Sequence, residues 1–117
     1  MFVFLHQMVE YTLNNCPIFW DHLTTPVFAE WTKVDENVDG STFYVDFERI
    51  RKHGGYVYWW DLSDRLKPTK QGNLSAKVYN QGDCQMFRFK YLSWSFHKEP
   101  MGGGTGETNT PNNPKWD

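Results

Sequence analysis

Between residues 31 and 96 the chain repeats one pattern: a short run rich in aromatic and β-branched residues, then a cluster of Gly, Asn, Asp or Pro. Apolar positions within the runs recur with a period of two, which is the period of a strand and not of a helix. Residues 31–34 form the first predicted strand. Asp39-Gly40 is the turn signal after it, because Asp-Gly suits the positive φ of a tight hairpin. Residues 42–46 return as the second strand. Residues 47–52 place polar and basic side chains around Ile50 and predict one helical turn, closed by His53-Gly54-Gly55. Residues 56–62 make the third strand, with Tyr56, Tyr58, Trp60 and Leu62 on one face and Val57 and Trp59 on the other. After a polar loop over 65–72 containing Pro68, residues 74–79 are the fourth strand and 80–83 the next turn. Residues 84–96 are the fifth, with Phe87, Phe89 and Tyr91 on its core side and Leu92 and Trp94 signalling a bulge.

The fold class this predicts is mainly β, within the α+β family: a single antiparallel sheet of five to six strands with a short helical turn near 47–52. Phe2, Leu5, Val9, Leu13 and Cys16 approach i, i+4 spacing, so an N-terminal helix over 2–14 is a further expectation. Residues 1–29 read as an atypical leader or an N-terminal extension. Val27-Phe28-Ala29 resembles a signal-peptidase site, but neither a basic n-region nor a long apolar h-region precedes it. Residues 30–104 form the sheet domain, and 105–117, rich in Gly, Thr, Asn and Pro, a flexible tail.

Composition narrows the function classes. The chain has 117 residues, which supports one domain with a modest core. Aromatics reach 18%, including six Trp, more than a minimal core consumes, so part of that surface is available for packing across or upon the sheet. Residues 1–29 hold Glu10 and Asp21 and no Lys or Arg, leaving 12 basic and 12 acidic residues in the body of the protein. A neutral body argues against nucleic acid held by bulk electrostatics. No apolar run approaches the length of a membrane-spanning helix.

Candidate chemistry is sparse. Asp35, Asn37, Asp39, Gly40 and Asp46 match the D-x-N-x-D-G calcium loop, although Asp replaces the usual bidentate Glu and both flanks read as strands, so an acidic hairpin turn is the favoured reading and no metal is expected. The four histidines share no ligand spacing, and no G-x-S-x-G elbow or reactive-cysteine signature is present, so neither enzyme chemistry nor a cofactor is expected. Gly102–Gly106 lacks the Lys-Ser/Thr of a phosphate loop and reads as a corner. Tyr56, Tyr58 and Trp60 are a candidate aromatic surface. Arg49, Arg51 and Lys52, and separately Arg65, Lys67 and Lys70, are candidate basic contacts that the strand between them places at opposite ends. Cys16 and Cys84 are the only cysteines and form a candidate disulfide.

Several short motifs, in order, resemble the surface-adhesin protein E family: Ala29-Glu30-Trp31, Phe43-Tyr44-Val45-Asp46, Ile50 with Gly54-Gly55-Tyr56-Val57 and Trp60, then Asp64, Lys67-Pro68, Ser75-Ala76-Lys77, Asp83-Cys84 and Met101-Gly102. The resemblance covers roughly residues 29–104. It implies a six-stranded antiparallel sheet with a C-terminal helix, and a disulfide from the position of Cys84 to a cysteine near the chain end. This sequence stops at Trp116-Asp117, so the expectation is that helix and cysteine are missing and that the N-terminal segment, through Cys16, substitutes for them. The resemblance further implies an exported protein of a bacterial envelope, whether periplasmic, at the outer-membrane surface or secreted, that adheres to a protein or extracellular-matrix partner without catalysis. The alternatives are a structural envelope domain that self-associates as a homodimer, and a sheet that binds an aromatic or hydrophobic small ligand.

Overall fold

The computed structural model of the chain describes residues 30–117. The expected N-terminal helix, Cys16 and the leader-like segment lie outside them. Seven strands form one antiparallel sheet: β1 (Thr32–Glu36), β2 (Thr42–Val45), β3 (Arg51–His53), β4 (Tyr56–Asp64), β5 (Ser75–Asp83), β6 (Arg88–His97) and β7 (Glu107–Asn109). The order is β1-β2-β4-β5-β6-β7. β3 also pairs with β4, taking up Tyr56–Tyr58 where β2 takes up Asp61–Asp64. Only two short 3-10 turns, Phe47–Arg49 and Pro100–Gly102, interrupt the strands, and the described residues contain no α-helix.

The 3-10 turn at Phe47–Arg49 is the helical turn expected near 47–52, but it is shorter than that expectation. Ile50, only 2% exposed, drops into the core and ends it. The chain then becomes β3, where the pattern of polar and basic residues predicts a helical turn. Gly54 and Gly55, at φ 60° and 83°, form the two-residue turn that joins β3 to β4; two consecutive glycines supply the positive φ such a turn demands.

The turn expected at 80–83 falls four residues later. Asn80–Asp83 stays in β5, where Gly82 faces Phe89, and the chain reverses at Cys84–Phe87. Asp83 builds that reversal: its Oδ1 accepts the amides of Gln85 at 3.1 Å and Met86 at 3.2 Å, and Phe87 sits at φ 52°. The bulge expected near Leu92 is present. Tyr79 pairs with Ser93 and Asn80 with Tyr91, leaving Leu92 as the extra residue.

The segment 105–117, expected as a loose tail, instead runs along the free edge of β6. Glu107–Asn109 pairs with Trp94–Phe96, and Asp117 exchanges backbone hydrogen bonds with Phe89. The edge of β6 offers unpaired N–H and C=O groups, and this segment satisfies them despite having no apolar period.

One face of the sheet carries the core: Phe43, Val45, Ile50, Val57, Trp59 and Phe89 are buried together, with Val34, Phe47, Cys84 and Tyr91 packed against them. β4 alternates between that face and the opposite one, where Tyr56, Tyr58 and Trp60 remain half-buried.

Candidate functional site

Strand register builds the second face row by row. Arg51 pairs with Tyr58, Tyr58 with Gln81 and Gln81 with Lys90, so these four side chains form one cross-strand row. Two residues to one side, Trp60 pairs with Tyr79; two to the other, Tyr56 pairs with Asp83 and Asp83 with Arg88. Directly paired residues share a face, and neighbouring rows are close enough for aromatic rings to touch diagonally.

The rings do touch. Tyr79 lies between Trp60, at a centroid distance of 4.8 Å and 32°, and Tyr58, at 6.2 Å and 24°. The three form a shelf of shallowly inclined rings. Gln81 Nε2 donates to the Tyr58 hydroxyl at 3.2 Å and orients it. Arg49 lays its guanidinium 5.8 Å from the Trp60 centroid. It is held there by Asp46, whose fully buried carboxylate accepts from Arg49 Nε at 2.7 Å.

Arg51 is aimed differently. Its Nη1 donates to the carbonyls of Ile50 at 3.0 Å and Glu48 at 3.3 Å, and no carboxylate pairs with it among the described residues. Burial raises the pKa of the Tyr79 hydroxyl, as does neighbouring Tyr58, while the nearby charges of Arg51 and Arg49 oppose the shift. The hydroxyl therefore remains a donor at neutral pH.

Trp116 closes the other end of the face. It stacks on Tyr56 at 5.7 Å and 22°, with the Arg88 guanidinium 4.4 Å and the Lys90 ammonium 4.3 Å from its ring. Arg88 is matched by Asp83 at 3.2 Å. Within Asp83, burial works to raise the pKa, but the Met86 and Gln85 amides and Arg88 outweigh it and the net shift is downward.

The expected aromatic trio of Tyr56, Tyr58 and Trp60 thus does share a face, joined by Tyr79 and Trp116. Neither addition was legible. Tyr79 meets the trio only through β4–β5 register, and Trp116 arrives from a segment without periodicity. Of the basic candidates, Arg49 and Arg51 reach the shelf. Lys52 pairs with Val57, which places it on the opposite face. Arg65, Lys67 and Lys70 sit in the loop after β4, at the far end of that strand, where Arg65 Nε donates to the Lys67 carbonyl.

That far end is covered by the connection between β6 and β7. Ser75 Oγ donates to the Glu99 carbonyl at 2.6 Å and accepts from the Gly102 amide at 2.8 Å. A side chain at Gly106 would collide with the His97 imidazole. The Gly102–Gly106 corner is therefore a packed cover over buried His97, whose Nε2 lies 2.8 Å from Ser95 Oγ. An open groove of about 810 Å³ runs beside it, lined by Gln71, Asn73, Phe96, Lys98 and Glu107 among others.

The calcium-like carboxylates are occupied separately. Asp35 accepts the Glu36 amide, Asp39 accepts the Ser41 amide, which lowers its pKa, and Asp46 holds Arg49. Asn37 closes the same turn through its backbone, and no cluster suited to a metal ion occurs among the described residues. Cys84 is disulfide-bonded.

The core face hides a polar cluster that a reading of periodicity takes for apolar packing. Asp61 is in phase with Val57 and Trp59 and is 7% exposed. Burial pushes its pKa up to about 7, against the opposing pull of the Asn80 amide, which donates to Oδ2 at 2.8 Å. The Trp59 indole lies near enough to favour the anion but makes no hydrogen bond of good geometry. Burial, followed by the Asp61 and Asp117 carboxylates, pushes the Tyr91 hydroxyl up to about 12.

A model of the family described as surface-adhesin protein E matches residues 31–117, a longer stretch than the 29–104 of the motifs. Among solved structures, crystal form II of Haemophilus influenzae protein E is similar at a TM-score of 0.52 and 18% identity, covering 82% of this chain and 79% of that one. The Se-Met form of Haemophilus influenzae protein E is similar at a TM-score of 0.50 and 20% identity, covering 82% and 78%. At such identities the likeness speaks to the fold. No curated protein matches the sequence.

Proposed function

The chain belongs to the surface-adhesin protein E family, and from that premise we propose that it is a non-catalytic, exported binding domain that adheres to a protein or matrix partner through the aromatic and basic face of its sheet. Family membership supports surface exposure and adhesion. The observation that carries the choice of face is the shelf of Tyr58, Tyr79 and Trp60, half-buried beside Arg49 and Arg51. Large, pre-ordered aromatic side chains next to arginine are the residue types that concentrate binding energy in interfaces. Their mutual stacking means that little side-chain entropy remains to be lost on docking.

The test is retention on immobilised extracellular matrix. Trp60→Ala and Tyr58→Ala are expected to reduce retention at least tenfold while the melting temperature moves by only a few degrees. Retention equal to wild type in both variants would remove this face from the function. Light scattering of the same samples addresses the homodimer, whose formation with no matrix retention would favour self-association through the sheet.

A further inference from the structure

We propose that the cross-strand row from Arg51 to Lys90 is a subsite for a sulfated oligosaccharide, lying across the strands with its sugar rings on Tyr58 and the neighbouring shelf. The proposal rests on the reading of this face as the adhesive one and specifies its ligand.

Charge matching along the row carries the inference. Of the four cations on this face, Arg49 is paired with Asp46 and Arg88 with Asp83. Arg51 and Lys90 have no carboxylate partner among the described residues. Arg51 uses Nη1 on backbone carbonyls, which fixes the guanidinium, and its Nε and Nη2 make no hydrogen bond among the described residues. Lys90 is steadied over the Trp116 ring at 4.3 Å. Both are pre-positioned, and no carboxylate among the described residues neutralises either charge.

Their separation sets the shape of the ligand. Arg51 and Lys90 stand at the ends of the row Arg51–Tyr58–Gln81–Lys90, and three inter-strand gaps place their backbones roughly 14 Å apart. One inorganic anion cannot bridge that distance. Between the cations lie an aromatic ring and an amide, which offer a flat apolar surface and a hydrogen-bonding group. An extended chain with repeated anionic groups and uncharged, partly apolar rings between them fits that sequence of contacts.

Guanidinium recognises oxyanions with two parallel N–H donors, which suits a sulfate ester. Single-stranded nucleic acid also combines stacking with charge. It is the competing occupant, and oligothymidylate represents it in the experiment.

The experiment titrates the full chain with a heparin-derived octasaccharide, read by tryptophan fluorescence and calorimetry. Saturable binding is expected, weakening as salt screens the contacts. Arg51→Ala and Lys90→Ala should each cost several-fold in affinity, and the double variant at least tenfold, with unchanged circular dichroism and melting. The fully desulfated octasaccharide should bind at least tenfold more weakly, and inorganic sulfate should compete only at concentrations far above those of the oligosaccharide.

Failure of the octasaccharide to bind, or equal affinity in the double variant, overturns the proposal, as does oligothymidylate of similar length binding as tightly with the same variant dependence. If the octasaccharide fails while Trp60→Ala still abolishes retention on matrix, the glycan subsite is wrong and the adhesive face stands. If both Trp60→Ala and Tyr58→Ala leave matrix retention intact, the adhesive face itself is wrong.

Discussion

Trp59 and Trp60 are adjacent in β4 and have opposite fates. Trp59 is completely buried in the core, its indole nitrogen without a partner, while Trp60 lies half-buried among Tyr79 and Arg49. The two faces of one strand thus do different work with the same residue type. The core face gains from removing apolar area from water and tolerates polar atoms only at a cost. The other face keeps its rings partly wetted and surrounds them with cations and hydroxyls, an arrangement that adds little to folding and leaves surface for a partner.

The most direct way to break this comparison is truncation on each side. Trp59→Ala is expected to destabilise the fold by ~3–5 kcal/mol, as large core truncations do. Trp60→Ala should cost no more than about 1.5 kcal/mol, since part of its surface is already hydrated. Urea denaturation of the two variants measures both, and equal losses would mean that the faces are not distinct.

Asp61 sharpens the same contrast through pH. Its pKa rises from the usual 3.8 to about 7 in the folded protein because the charged form is desolvated. Between roughly pH 4 and 7 the native state therefore holds a proton that the unfolded chain has released. The stability contributed by this group is present at the acidic end of that window, is lost as pH rises through it, and is constant above it. Asp61→Asn should remove that slope. The variant is expected to match wild type near pH 4 and to exceed it near pH 8 by on the order of a few kcal/mol, a difference that paired melts across the window would read.

Two arginines on the open face separate next. Arg49→Ala strands the fully buried Asp46 carboxylate, whose Oδ1 already lacks a partner, and should cost about 1–3 kcal/mol. Arg51→Ala, which pairs with no buried acid, should stay within about 0.5 kcal/mol of wild type. Chemical denaturation distinguishes them, and equal costs would show that Asp46 does not depend on Arg49. Trp116 falls between the two arginines: its stacking on Tyr56 and its two cation contacts sit at a half-exposed site, where each cation contact contributes roughly 0.5–1 kcal/mol. Trp116→Ala should lower the melting temperature slightly and weaken octasaccharide binding by loosening Lys90.

How much of this was legible in sequence depended on whether the signal was local. The alternation in β4 was local, so the facing of Val57 and Trp59 against Tyr56, Tyr58 and Trp60 followed from the strand period. The Gly54-Gly55 pair is equally local, but its composition also suits the end of a helical turn, and that ambiguity hides β3. The reversal after β5 was misplaced because Asn80-Gln81-Gly82-Asp83 has turn composition, yet Asp83 spends its side chain on the amides of residues 85 and 86 and moves the turn forward. Strand β7 had no local signal at all, since its pairing derives from the free edge of β6.

Strand period, turn chemistry and composition act over a few residues, so the order of amino acids alone specifies the class of the fold, its antiparallel strands, the aromatic trio and the family motifs. Which cations meet the aromatic shelf, that Arg51 and Lys90 have no carboxylate partner among the described residues while Arg49 and Arg88 do, and that Asp61 is buried emerge only when the strands pair. Those outcomes depend on register across four strands. A shift of one residue would turn every side chain of a strand to the other face, and no local stretch of sequence encodes that choice.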